Sequence, residues 1–320
     1  MTELMTLKKD YAGRDFLSLL DYSTEDLQYF LQVADYLKAE HKAGRPTPYL
    51  QGKTMGLIFE KSSTRTRVSF ETGIYYLGGQ GLFLSSNDLQ IGRGEPIKDT
   101  ARVLSRFLNG MMIRTFSHDI VTELAEYADI PVINGLTDLL HPCQVLADLQ
   151  TIREHKGELA GLKMVFVGDG NNMAHSIMNG GARMGMHVVC ACPEGYLPDP
   201  EIVAAAKAAA ELTGGSVEVM QDPLIACHDA DVIYTDVWAS MGQEGEKAER
   251  EAVFAGVYQV NDAVMSVAKP DAMVLHCLPA HRGEEITEEV FESHPEIFDE
   301  AENRLYAQMA VMALLLQDAE

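Results

Sequence analysis

Hydroxyls and guanidiniums crowd one short stretch of this chain, Phe59-Glu60-Lys61-Ser62-Ser63-Thr64-Arg65-Thr66-Arg67, directly behind an apolar run. A strand turning into a helix there would offer unpaired backbone N–H groups and a partial positive charge. Hydroxyls donate to anionic oxygens and guanidinium forks grip them in pairs, so the chemistry indicated is binding of a phosphate. A lone Ser-Thr-Arg reads more simply as a helix cap with solvated arginines; Ser-Thr-Arg-Thr-Arg behind an apolar strand does not. The stretch lacks the glycine-lysine signature of a nucleotide phosphate loop.

Two further segments carry polar groups at element ends. His141-Pro142-Cys143-Gln144 reads as the first turn of a helix, where the missing N–H of proline costs nothing. His141 and Gln144 would share one face, and both could donate to a carbonyl oxygen, which stabilises charge developing in acyl transfer. Taken alone, a capping histidine and a surface glutamine explain the segment better. Leu275-His276-Cys277-Leu278-Pro279 follows another apolar run, at the carboxyl end of a strand, where parallel sheets bind ligands. Cys277 there could be a nucleophile, a metal ligand or a polar contact, against the commoner fate of a buried thiol.

The elements that must position these groups alternate between short β-rich runs and longer helical ones, the pattern of parallel sheets covered by helices. Strands are predicted over 54–59, 81–84, 111–114 and 132–133 in the first half, with helices near 67–76, 98–108 and 119–127. The second half carries strands over 163–167, 187–191, 217–220, 232–235 and 272–276. Between the halves, Val145, Leu146, Leu149 and Ile152 give 144–155 amphipathic helical spacing. Long helices are also predicted over 24–41 and 303–316. The expected fold is α/β: two doubly wound domains, each a parallel sheet flanked by helices, joined by linking helices. The expected division is 1–148 and 149–302, with 303–320 packing back on the first domain; 320 residues suit two such units.

Composition removes several classes of function. A net charge of −23 without a basic run repels nucleic acid and anionic membranes, so an anion site has to be built locally. No stretch offers the ~20 apolar residues of a membrane span, and residues 1–5 show no secretory pattern. Cysteines at 143, 190, 192, 227 and 277 form no disulfide framework and read as reduced thiols of a cytoplasmic protein. His276, Cys277 and His281 lack a fourth ligand at metal spacing, so no metal is expected. Val167-Gly168-Asp169-Gly170 invites a nicotinamide oxidoreductase reading, but Met173 stands where a third glycine is needed, so no dinucleotide cofactor is expected.

Ser63-Thr64-Arg65-Thr66-Arg67, His141-Pro142-Cys143-Gln144 and His276-Cys277-Leu278-Pro279 occur in an order and spacing that resemble the aspartate/ornithine carbamoyltransferase family. Asp236-Val237-Trp238-Ala239-Ser240-Met241-Gly242 is similar to the amino-acid-binding segment of its ornithine-using members. The resemblance runs from about Phe16 to Ala313. It implies transfer of the carbamoyl group of carbamoyl phosphate to the side-chain amine of L-ornithine, with putrescine, aspartate or an N-acetylated ornithine as competing acceptors. It implies no cofactor. Ser63, Thr64, Arg65 and Thr66 would hold the phosphate, Gln90 would reach the phosphate of a neighbouring subunit in a trimer or a multiple of trimers, and Arg114 would serve phosphate and carbonyl. His141 and Gln144 would bind the carbamoyl group, and Arg304 would reach back to the same ligand. On the acceptor side the resemblance gives Asn172, Asp236, Ser240 and Met241, with Cys277 and Leu278 between the two substrates. Arg65, Arg114, His141, Gln144, Asp236 and Cys277 form the expected catalytic set. The implied chemistry is direct attack by the amine, with a group near Asp236 and Cys277, or the phosphate itself, taking the proton.

Overall fold

The computed structural model describes residues 4–91, 94–240 and 242–319. By the contacts within it the chain divides into two compact units. The first comprises 1–21, 25–143 and 304–320, and the second 22–24 and 144–303.

The first unit holds β1 (Thr54–Phe59), β2 (Gln80–Ser85), β3 (Gly110–Arg114) and β4 (Val132–Leu136) in one parallel sheet of order β2-β1-β3-β4. Its helices are α1 (Thr24–Lys42), whose first residue falls to the second unit, α2 (Thr64–Tyr76), α3 (Ile97–Leu104) and α4 (His118–Tyr127). Strands β1, β3 and β4 are apolar on both faces, as a parallel sheet covered by helices requires. Ile58, Met111, Ile113, Val121, Leu124 and Val132 form one core. The strand predicted over 132–133 runs on to Leu136 through Asn134 and Gly135, residue types that usually mark turns. Asn134 Nδ2 donates to the carbonyl of Leu17 at 3.1 Å, and a Cβ at Gly135 would come within 2.4 Å of Met112 Sδ. Close packing, not a turn, requires that glycine.

Helix α5 (Pro142–Lys156) begins in the first unit and continues into the second. There β5 (Lys163–Val167), β6 (His187–Ala191), β7 (Ser216–Met220), β8 (Val232–Thr235) and β9 (Met273–His276) form a parallel sheet of order β7-β6-β5-β8-β9. The helices are α6 (Asn172–Arg183), α7 (Pro200–Thr213), α8 (Pro223–Cys227), α9 (Lys247–Phe254), α10 (Asp262–Val267) and α11 (Glu288–Ser293). Last comes α12 (Glu296–Leu315), which begins in the second unit and ends in the first. Strand order reverses between β1 and β3 in one sheet and between β5 and β8 in the other, and ligand crevices of such sheets open at the strand ends there. The nine predicted strands are the nine found among the described residues. Helix α12 starts seven residues before the predicted 303, because Glu300 is buried and breaks the apolar pattern.

Candidate active site

In the first unit the reversal point carries the cations. After β1 the chain turns into α2, capped by Ser63: its Oγ accepts from the Thr66 N–H at 3.2 Å and donates to Thr66 Oγ1 at 3.1 Å. Arg304, on α12, donates from Nη2 to the same Thr66 oxygen at 2.8 Å. Thr66, Arg304, Lys61 and Arg114 (the last residue of β3) are all buried. The Arg114 carbonyl accepts from the Glu60 N–H at 2.9 Å, tying the end of β3 to the turn that follows β1. Lys61 Nζ lies 3.1 Å from Asp138 and 5.0 Å from the Phe116 ring.

His141 stands just before α5 and is buried. Burial holds its pKa well below the usual 6.5, and the charges of Arg304, Arg114, Arg65 and Lys61 push it further down. Its imidazole is therefore neutral and able to donate one N–H. The structure thus brings Arg65, Arg114, His141, Arg304, Ser63 and Thr66 into one cluster, with Thr64 exposed in the first turn of α2. Lys61 belongs to the cluster but was not singled out by sequence; its place directly after the strand was the available signal. Gln90 is exposed in the loop after β2 and hydrogen-bonds none of these groups among the described residues.

The second unit places Asp236 just beyond β8, at its own reversal point. The carboxylate is buried and accepts from Asn171 Nδ2 (3.0 Å), the Val237 N–H (2.8 Å) and the Cys277 thiol (3.1 Å). No Lys or Arg among the described residues forms an ion pair with it. Burial, followed by Asp236, drives the Cys277 thiol well above its usual 9. The sulfur is therefore a thiol donor and not a thiolate nucleophile. Leu278 adopts φ +58°, unusual outside glycine, and its N–H donates to His276 Nδ1 at 2.8 Å. His276 Nε2 then donates to Glu285 at 3.1 Å. Asp236, His276 and Cys277 offer ligand atoms within 4.8 Å of one another, but a metal would have to break hydrogen bonds made by all three. Hydrogen bonding accounts for the trio.

Asn172 is buried in the first turn of α6, yet the asparagine that touches Asp236 is its neighbour Asn171, which also caps α6 through Oδ1. Ser240 is half-buried with its N–H on Gln243 Oε1 at 3.0 Å. Met241 lies outside the described residues. A buried arginine that sequence did not flag, Arg250 on α9, donates to Asp169 at 2.7 Å and to the Trp238 carbonyl at 2.9 Å. It fastens the loop after β5 to the loop after β8. A Cβ at Gly170 would lie 2.2 Å from Pro198 N, so that glycine admits the chain's own backbone, which removes the argument for a dinucleotide there.

Gln144 corrects the expected chemistry. Its Nε2 donates to Asp148 Oδ1 and to Glu300 Oε1, each at 2.9 Å. The donor half of the amide is committed inside the second unit, and Oε1 is buried with no hydrogen bond among the described residues.

Residues 14–154 match the family model described as aspartate/ornithine carbamoyltransferase, carbamoyl-P binding domain, and residues 160–315 match its Asp/Orn binding domain. The ornithine carbamoyltransferase of Oceanobacillus iheyensis is 57% identical, over 99% of this chain and 98% of that protein. That of Symbiobacterium thermophilum is 59% identical over 95% of this chain and 98% of its own length. The solved ornithine carbamoyltransferase of Pyrococcus furiosus superimposes with a TM-score of 0.93 at 52% identity, covering 98% of this chain and 99% of that one.

Proposed function

The chain belongs to the aspartate/ornithine carbamoyltransferase family, and we propose that it transfers the carbamoyl group of carbamoyl phosphate to the δ-amine of L-ornithine, giving L-citrulline and phosphate. The observation that carries this reading is the gathering of buried Lys61, Arg114 and Arg304, with half-buried Arg65, about a neutral His141. Such a group of cations is matched to a doubly charged phosphate and to the oxyanion that forms when its carbonyl is attacked.

We assign the phosphate to Ser63, Thr64, Arg65, Thr66 and Arg304, and the carbonyl oxygen to Arg114 and His141. Gln144 Oε1 accepts from the carbamoyl NH2. All but Gln144 belong to the first unit, which we take as the donor domain, and the second unit, opened by Gln144, takes the acceptor. The ammonium of ornithine is assigned to Asp236, because a buried carboxylate without a cation favours one. Asn172, Ser240 and Met241 complete the acceptor set, and Cys277 and Leu278 line it. The free δ-amine attacks the carbamoyl carbon, the C–N bond forms, the C–O bond to phosphate breaks, and the leaving phosphate takes the proton. His141 does not act as the base: an imidazole with a strongly lowered pKa is a weak one. The raised Cys277 thiol supports direct transfer over a covalent intermediate. The same atoms serve the reverse reaction, so the chain fits either direction of arginine metabolism.

A homotrimer is our reading of the exposed β2 edge. Val68, Tyr75, Leu82 and Phe83 present apolar surface there, and Gln90 follows on the next loop. A solution mass of about three chains is expected, and a monomer would dismiss it. Five unpaired thiols support a cytoplasmic location, and no helix among the described residues is long and apolar enough to cross a membrane. The test of function is colorimetric detection of ureido product from carbamoyl phosphate with L-ornithine, putrescine, L-aspartate and N-acetylornithine in parallel. Product with ornithine is expected; product with putrescine alone would replace the acceptor assignment.

A further inference from the structure

Four elements of the second unit, α5, β8, β9 and α12, converge on one carboxyl group that the mechanism above does not use. Glu300 Oε1 accepts from Gln144 Nε2 and from the Tyr234 hydroxyl, each at 2.9 Å. Glu300 Oε2 accepts from the backbone N–H of His276 at 2.8 Å. Gln144, Asp148, Tyr234, His276 and Glu300 are each at most 1% exposed. Asp148 Oδ1 accepts from the same Gln144 nitrogen at 2.9 Å, so two acids flank one amide NH2. Burial raises the Glu300 pKa, and the donors around it oppose the rise.

We propose that Glu300 is a positioning residue for carbamoyl transfer, fixing the Gln144 amide with its oxygen toward the ligand and holding the 276–278 turn in register with it. The inference rests on the reading of Gln144 given above. An amide flip exchanges oxygen and nitrogen with almost no change of shape, so partners alone decide its sense. Here the nitrogen faces two carboxyl groups. A flipped amide would set its oxygen against the oxygens of both and take away the donor that each accepts from. Oε1 of Gln144 is consequently turned away; it is buried and takes no hydrogen bond among the described residues. A carbamoyl group presents an NH2 that such an oxygen can accept. The second oxygen of Glu300 holds the backbone two residues before Leu278, whose φ of +58° needs support from its surroundings. One side chain therefore sets both the acceptor atom of Gln144 and the approach to Cys277.

The experiment is Glu300→Gln, made in the full chain alone and in a Gln144→Ala background, with steady-state citrulline kinetics in both. The variant keeps an oxygen for one donor but puts an NH2 where Gln144 needs an acceptor. We expect kcat to fall tenfold or more in the otherwise unchanged protein, and less than threefold where Gln144 is already alanine. Equal losses in the two backgrounds would mean that Glu300 acts through the fold at large, and would overturn the proposal. Should Glu300→Gln not fold, Asp148→Asn alters the other partner of the same amide and is read in the same two backgrounds by the same criterion. Citrulline formation by the unaltered protein is measured alongside. Its absence would defeat the functional reading itself, an outcome distinct from equal losses.

Discussion

Replacing Arg304 by methionine removes one cation from the anion cluster while keeping most of the side-chain volume. Two effects of opposite sign follow. A hydrogen bond from a charged donor is worth about 1.5–3 kcal/mol, so the affinity for a phosphate dianion should fall by roughly 10- to 150-fold, at about 1.4 kcal/mol per decade. In the ligand-free protein, Arg304 is one of four cations bearing on His141. Deleting it relieves mutual repulsion, which offsets the lost 2.8 Å bond to Thr66. The melting temperature without ligand should therefore change little. Inorganic phosphate at 100 times its wild-type Kd stabilises the wild type by about 2.7 kcal/mol. A variant weakened 30-fold then meets only about three times its own Kd and gains about 0.8 kcal/mol. The phosphate-induced shift in thermal unfolding should thus shrink to about a third, and the KM for carbamoyl phosphate should rise while that for ornithine stays within about twofold. Equal phosphate shifts in the two proteins would refute the cluster as the anion site. The pH dependence has a definite sense. The unfolded chain binds a proton at His141 near the usual 6.5, but the folded imidazole refuses it until well below. The stability tied to this group is complete above about pH 6.5 and is lost as pH falls toward the folded pKa. Arg304→Met raises that folded pKa, so the acid-side loss becomes smaller in the variant.

Cys277→Ser should keep measurable activity with an altered KM for ornithine, because a hydroxyl can also donate to Asp236 Oδ1, which the thiol reaches at 3.1 Å. With the thiol pushed well above 9, iodoacetamide should react slowly at pH 8, and a carbamoyl-thioester trapped in the wild type would contradict direct transfer. Arg250→Ala should raise the KM for ornithine about tenfold or more and leave that for carbamoyl phosphate unchanged, since Arg250 ties the Asp169 and Trp238 loops of one unit together. It should also lower stability by about 3–5 kcal/mol, because Asp169 is left buried without its partner; unchanged ornithine kinetics would show that the clamp does not serve the acceptor.

What sequence could and could not disclose follows from the range of the interactions. Seven of the nine strands are buried on both faces and read as nearly continuous apolar runs, the edge strands β2 and β7 still show as short β-rich runs, and the Ser63–Arg67 cluster was visible because its members are contiguous. Contacts made across the chain left no such trace. Asn171 and Asn172 are chemically identical, and only the phase of α6 decides that the first reaches Asp236. Gln144 was expected to donate to a carbonyl oxygen, since a glutamine beside a histidine offers both senses equally. The choice is made 156 positions away, by Glu300. That residue is also why α12 was begun too late: Glu296, Asp299, Glu300 and Glu302 together resemble a solvated face, and one fully buried acid among half-buried ones has no signature in a single sequence. A carboxyl group survives in such a place only if donors gather around it. Where they do, as Gln144, Tyr234 and the His276 N–H do at Glu300, the group fixes the orientation of everything that donates to it, and its removal should be felt at the atoms that meet substrate before it is felt in the fold.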